Sequence, residues 1–151
     1  MIYLGADHGG FKLKEKIKEK LDKDGLKWED KGNKIYDEQD NYPIFAAKVA
    51  EAVAKNPKKH LGILFCRTGA GVTVVANKYP GILAALGINS NQIIKIRKDE
   101  NFNVLTIASD YTSIKNLKKM IESFTRTKFS GEKRHIYRLK VLKKIERNNF
   151  K

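Results

Sequence analysis

A parallel α/β sandwich with five strands is the fold this sequence predicts, on three observations. Short apolar runs alternate with helix-period patterns along the chain. Two glycine-bearing turns directly follow the first and third of those runs. The length, 151 residues, suits one compact core rather than two. Parallel strands need crossover connections, and right-handed crossovers spread helices over both faces, so an open three-layer sandwich spanning 1–151 is expected.

Met1 to Leu4 is a short apolar run closed by Gly5, and Leu13, Ile17 and Leu21 then recur at helical spacing among lysines and glutamates. Leu26 to Trp28 offers a brief second strand, and Asp30 to Asn41 reads as a polar surface loop. Pro43 suits the first turn of a helix whose stripe is Phe45, Val49 and Val53. Ile63 to Phe65 has the pattern of a buried strand running into Cys66, and Val72 to Lys78 follows as a short helix after its glycine turn. Ile82 to Leu86 and Val104 to Ala108 complete the strands, with a helix near Asn91 to Lys98 between them. Helices at Ser113 to Phe124 and Arg134 to Asn148 close the chain, the second opening an extended basic C-terminal segment over 134–151.

Composition narrows the function. Hydrophobic residues make up 41%, too many for a disordered chain, yet no run approaches the roughly 18 apolar residues of a membrane span. Met1 opens a stretch that meets charge at Asp7, unlike a signal peptide, so a soluble cytoplasmic protein with no membrane partner is expected. Cys66 is the sole cysteine, which excludes an intrachain disulfide and a cysteine-based zinc site. The net charge of +14 is unevenly spread, since Tyr111 to Lys151 carries 13 basic and 3 acidic side chains. Such a patch attracts polyanions, but the aromatics around it, Tyr111, Phe124, Phe129, Tyr137 and Phe150, are too scattered for a stacking platform, which argues against nucleic acid as the partner.

Chemistry is sought in the turns after the first and third strands, because open parallel sheets bind ligands beyond the strand carboxyl ends where strand order reverses. These turns are Gly5-Ala6-Asp7-His8-Gly9-Gly10 and Cys66-Arg67-Thr68-Gly69-Ala70-Gly71. Neither matches GxGxxG or the P-loop, so the usual nucleotide fingerprints are missing. Glycine lets backbone approach a ligand, and a helix opening just afterwards directs free N–H groups at an anion. Asp7 and His8 supply an acceptor and a titratable donor. Cys66 and Thr68 place a thiol and a hydroxyl two residues apart, and a helix N-terminus favours thiolate, which makes Cys66 a candidate proton-abstracting base.

Four ordered blocks, GADHGGFKLKEKI, NYP, FCRTGAGVTVVANK and GEKRHIYR, resemble the type B ribose-5-phosphate isomerase family, whose wider group includes galactose-6-phosphate and allose-6-phosphate isomerases. The resemblance reaches about Arg138. It implies a Rossmann-like α/β/α sandwich, a homodimer or dimer of dimers with shared active sites, a sugar-phosphate substrate, and no metal or organic cofactor. By the same resemblance Cys66 would move a proton between C2 and C1 of the open-chain sugar. Thr68 and the backbone at Gly69, Ala70 and Gly71 would hold the enediolate oxygen, Asp7, His8 and Tyr42 would line the pocket, and Arg134 and Arg138 would bind phosphate.

The chain also departs from that pattern. Asp99-Glu100 stand where the family has a His-Asn pair, so ring opening would fall to Asp99. Arg67 replaces a glycine and adds a cation beside the thiol that would favour thiolate or reach the phosphate, Gly87-Ile88 stands where members often have polar residues, and GEKRH is one residue longer than GGRH. The resemblance therefore points to an aldose–ketose isomerase of ribose 5-phosphate and ribulose 5-phosphate. A six-carbon sugar phosphate as substrate, or a degenerate homologue binding sugar phosphate or nucleic acid through its basic terminus, are the alternatives.

Overall fold

Alternating side chains of the five strands feed two separate apolar layers, and that alternation is what seats helices on both faces. The computed structural model describes residues 1–149; Phe150 and Lys151, the end of the expected terminal helix, lie outside the described residues. The strands are β1 (Ile2–Ala6), β2 (Trp28–Asp30), β3 (Leu61–Cys66), β4 (Ala84–Leu86) and β5 (Val104–Ala108). The helices are α1 (Phe11–Lys23), α2 (Tyr42–Ala54), α3 (Ala70–Ala76), α4 (Ser90–Glu100), α5 (Ile114–Arg126) and α6 (Lys133–Asn149). All pairings are parallel, in the order β2-β1-β3-β5-β4. The chain leaves β1 toward one edge and returns as β3 on the other side, so the reversal point lies between β1 and β3.

On one face Ile2, Leu4, Ile63, Phe65, Leu105 and Ile107 pack against α1, α4 and α5 through Ile17, Leu21, Ile93, Leu117, Met120, Ile121 and Phe124. On the other, Leu64, Cys66 and Val104 meet α2 and α3 through Ala46, Val49, Ala50, Val53, Val72 and Ala76. Each fully buried large apolar side chain contributes roughly 1.5–3 kcal/mol of transfer free energy. Local signals agree with the packing. Pro43 sits in the first turn of α2, Asn89 caps α4 by accepting from the Gln92 amide at 2.9 Å, and Ser113 caps α5 by accepting from the Asn116 amide at 3.3 Å.

Three elements are displaced from their expected bounds. The second strand lies at Trp28–Asp30 rather than Leu26–Trp28, because α1 ends in a turn with Gly25 at φ +66° and the Leu26 amide bonded back to Leu21. β4 begins at Ala84 rather than Ile82, since the buried Asn103 side chain takes the Leu83 amide and the Gly81 carbonyl. α3 starts at Ala70, two residues early, because Gly69 at φ +74° turns the chain directly into it.

The expected polar loop from Asp30 to Asn41 is a loop, exposed over 34–39, but Asp30 and Asn33 at its start are buried. Asp30 ends β2, where burial would push its carboxyl up. Lys14 at 2.5 Å and Lys18 at 2.7 Å outweigh that and hold it below the usual aspartate value. Lys14 is fully buried and also donates to the Asn33 carbonyl at 2.6 Å, so the loop is fastened to α1 from inside.

Candidate active site

The turns after β1 and β3 are in contact. A Cβ on Gly9 would come within 2.3 Å of Arg67 Cγ, and one on Gly10 within 2.5 Å of the Phe65 carbonyl carbon and oxygen. Only glycine at both positions lets the two backbones meet this closely. The Tyr42 ring, at the start of α2, closes over Gly71, where a Cβ would lie 2.7 Å from its Cε2. The structure thus brings together Asp7, His8, Tyr42, Cys66, Arg67, Thr68, Gly69, Ala70 and Gly71.

Cys66 is buried at the end of β3, and its Sγ accepts the Gly69 amide at 3.1 Å. That contact aims the thiol into the turn. Gly69 in turn is held from behind: Thr73 Oγ1 donates to its carbonyl at 2.6 Å, which leaves the fully buried Thr106 hydroxyl to donate to Thr73 Oγ1, also at 2.6 Å. Thr68 stays exposed, its Oγ1 3.4 Å from the Ala70 amide, with the first amides of α3 beyond it lacking intrahelical partners. A thiol, a hydroxyl and the amides that open α3 are therefore gathered in one turn of six residues, Cys66 to Gly71. This set can abstract a proton and receive the negative charge that results.

Asp7 is buried. Burial pushes its carboxyl up, opposed by the Gly10 amide it accepts at 3.1 Å. His8 is partly exposed, and Asp40 accepts at 2.8 Å from both its Nδ1 and its backbone N–H. That carboxylate hydrogen bond holds the imidazole above the ordinary histidine value. Arg67 reaches across to Asp110 with its Nε at 3.2 Å. His8, Gly9, Lys12, Tyr36, Arg67 and Asp110 enclose an open cleft of about 240 Å³. Reading the sequence missed Asp40 and Asp110 because nothing local ties them to the two turns, and Lys12 because it reads as one more lysine on a basic helix. Lys14 was missed as well, although its place three residues before Ile17 and seven before Leu21, on the same helical stripe, is a signal that could have found it.

Asp99, Arg134 and Arg138 lie elsewhere. Asp99 is in the last turn of α4, just before β5, and β5 begins beside Gly62 while Cys66 pairs with Ala108 at its far end. A strand of this length spans roughly 15 Å, so the two groups sit at opposite ends of the sheet. α6 is fastened to the Asp99 end, where the Ser130 amide donates to Lys98 O at 3.0 Å and the Gly81 amide to Glu146 Oε1 at 2.7 Å. His135, buried, places Nε2 3.8 Å from Asp99. Arg134, bonded to Glu132 at 2.9 Å, and Arg138 are exposed one turn apart. Within one chain neither reaches the thiol. Among the described residues no group of three or more His, Cys, Asp or Glu side chains could hold a metal ion, and no helix is long and apolar enough to cross a membrane.

Comparison with known proteins adds independent information. Residues 2–142 match the family model described as Ribose/Galactose Isomerase. The chain is 37% identical to the probable ribose-5-phosphate isomerase B of Mycoplasma genitalium over 146 residues, 97% of this chain and 95% of that one. It is 32% identical to ribose-5-phosphate isomerase B of Mycobacterium tuberculosis over 148 residues, 98% of this chain and 91% of that one. Among solved structures it superposes on the Mycoplasma genitalium enzyme with bound ribulose-5-phosphate at a TM-score of 0.93, with 97% of this chain and 95% of that one covered. The Clostridium thermocellum ribose-5-phosphate isomerase B gives 0.91 at 34% identity, covering 97% of each chain.

Proposed function

The chain belongs to the ribose/galactose isomerase family, and from that premise we propose that it interconverts ribose 5-phosphate and ribulose 5-phosphate through a cis-enediolate. The observation that carries the substrate is the near full-length likeness to a relative solved with bound ribulose-5-phosphate. The geometry supports the chemistry. Cys66, as thiolate, removes the C2 proton of the open-chain aldose. Negative charge then develops on O1, for which Thr68 and the amides of Gly69, Ala70 and Gly71 are assigned as donors. The proton returns to C1, O1 becomes a hydroxyl as O2 gives up its proton, and C2 becomes the carbonyl. Donors set where charge develops contribute roughly 3–4 kcal/mol each to lowering such a barrier. A cytoplasmic setting accords with this substrate, because a phosphate dianion crosses an apolar layer only at great cost.

The phosphate is assigned to His8 together with Arg134 and Arg138, and ring opening to Asp99. Since the last three lie at the far end of the sheet from Cys66, the reading requires a second copy: Asp99, Arg134 and Arg138 of one subunit complete the Cys66 site of the other. Half-exposed Ile136, Val141, Leu142 and Ile145 on α6 support that arrangement. Mixing subunits tests it. Cys66→Ala and the Arg134→Ala/Arg138→Ala double variant should each be nearly inactive, yet equal amounts allowed to exchange should recover about a quarter of wild-type turnover, because half the dimers would be mixed and each would hold one intact site. No recovery would place each site within one chain.

A further inference from the structure

We propose that Asp40 is a positioning residue for His8, reaching it from the 31–41 loop and turning its Nε2 edge toward the anionic end of the substrate. The inference rests on the reading of His8 as a phosphate contact. It begins from a hydrogen-bonded chain that runs outward from the protein interior. Lys14, fully buried on α1, donates to the Asn33 carbonyl at 2.6 Å; Asn33 Nδ2 donates to Asp40 Oδ2 at 2.6 Å; Asp40 Oδ1 accepts both the backbone N–H and Nδ1 of His8 at 2.8 Å. The Asp40 side chain is only 7% exposed, whereas that of His8 is 30% exposed. A nearly buried carboxylate thus takes three donors, two of them from the partly open His8.

Occupying Nδ1 decides what the ring can offer. With Nδ1–H given to Asp40, only Nε2 remains, and in the imidazolium it is a donor. The open edge faces the cleft that Lys12 and Arg67 line, a place where an anion would find three cations from three separate elements. Charges reach His8 from every side: Asp7 from its own turn, Asp40 from the loop, Lys12 from α1, Arg67 from the β3–α3 turn and Asp110 from the end of β5. The cations oppose its protonation and the carboxylates favour it. The Asp40 hydrogen bond is the strongest of these influences and leaves His8 above the ordinary histidine value. The loop has a second effect, since Asn41 and Tyr42 follow Asp40 directly and Tyr42 covers Gly71. One tether therefore sets both walls.

The consequence is a substrate affinity whose pH range depends on Asp40. His8 binds phosphate best while charged, so KM is low below its raised pKa and climbs as pH passes through it. Asp40→Asn keeps the shape and removes the charge. In the ligand-free protein, NMR titration of the three histidines, with His8 identified by His8→Gln, should show His8 above the ordinary value in wild type and about one pH unit lower in Asp40→Asn. KM for ribose 5-phosphate at pH 8 should rise about tenfold in the variant with kcat within threefold, and the two proteins should converge near pH 5.5, where both carry charged His8. A wild-type His8 that titrates at the ordinary value overturns the proposal without any variant. So does a KM ratio that is the same at every pH, the signature of a merely loosened loop. If wild type lacked isomerase activity, the functional reading would fall. Inorganic phosphate followed on the His8 signals would then decide the positioning: phosphate that shifts the Nε2 signal less in Asp40→Asn than in wild type at pH 7 supports it, and equal shifts overturn it.

Discussion

The two ends of the sheet are built differently. At the carboxyl end, glycine turns press together, a buried lysine clamps a loop, and a hydroxyl pair props the peptide that faces the thiol. At the amino end, α6 buries little beyond His135 and leaves Arg134, Arg138 and a row of apolar residues open. The first region is organised before any ligand arrives. The second is an exposed half-surface whose few ion pairs, such as Arg134 with Glu132, lie in solvent. Proton transfer needs donors fixed to within fractions of an ångström, whereas holding a dianion tolerates longer, mobile arginines, so the demands of chemistry fall on the rigid end.

That contrast can be broken by experiment. The largest effect is expected at Cys66. Cys66→Ala should lower C2 hydrogen exchange with solvent by at least about 100-fold while binding of substrate changes only a few-fold, since a base acts in the transition state more than in the complex. Exchange that survives would remove the thiol from the mechanism. Next comes the clamp. Asp30→Asn leaves buried Lys14 with only the half-exposed Glu15 carboxylate at 2.9 Å and should cost about 3 kcal/mol in urea unfolding, the low end for breaking a buried pair. The pH dependence follows from the lowered carboxyl: its contribution is complete above the ordinary aspartate value of about 3.9 and is lost as pH falls through the lower folded value, so the variant should lack that acid slope. A variant as stable as wild type would show the prebuilt end to be less tightly held than its contacts suggest. Smallest is the effect of the exposed arginines on folding. Arg134→Ala and Arg138→Ala should each raise KM yet move Tm by no more than about 2 °C, because surface charges away from packed groups contribute little. A large drop in Tm would mean that α6 is already locked in the isolated subunit.

Much of this was legible along the chain. The alternation of apolar runs foretold the parallel sheet, and the glycine turns after β1 and β3 marked its reversal point. Both are local patterns, set by side-chain period and by where backbone must bend or approach. Strand bounds were less readable: β2 shifted because a local helix-ending turn at Gly25 delayed it, and β4 because the Asn103 amide, 20 residues away in sequence, took the Leu83 amide. The loop from Asp30 to Asn41 faces solvent over 34–39 as its composition indicates, but polar composition gives no sign that Asp30 and Asn33 will find a buried lysine.

Sequence by itself determined the order of elements, the layers they form and the two turns that carry Cys66, Thr68, Asp7 and His8, because periodicity and glycine act within a few residues of themselves. Tertiary structure alone decided which charges meet. Lys14 with Asp30, His8 with Asp40 and Arg67 with Asp110 are separated by 16, 32 and 43 residues, and the distance of Asp99 and Arg134 from the thiol follows from strand direction rather than from spacing. The physical reason is that electrostatic and hydrogen-bond energies depend on separation in space and on burial, and the chain acquires both only when it folds.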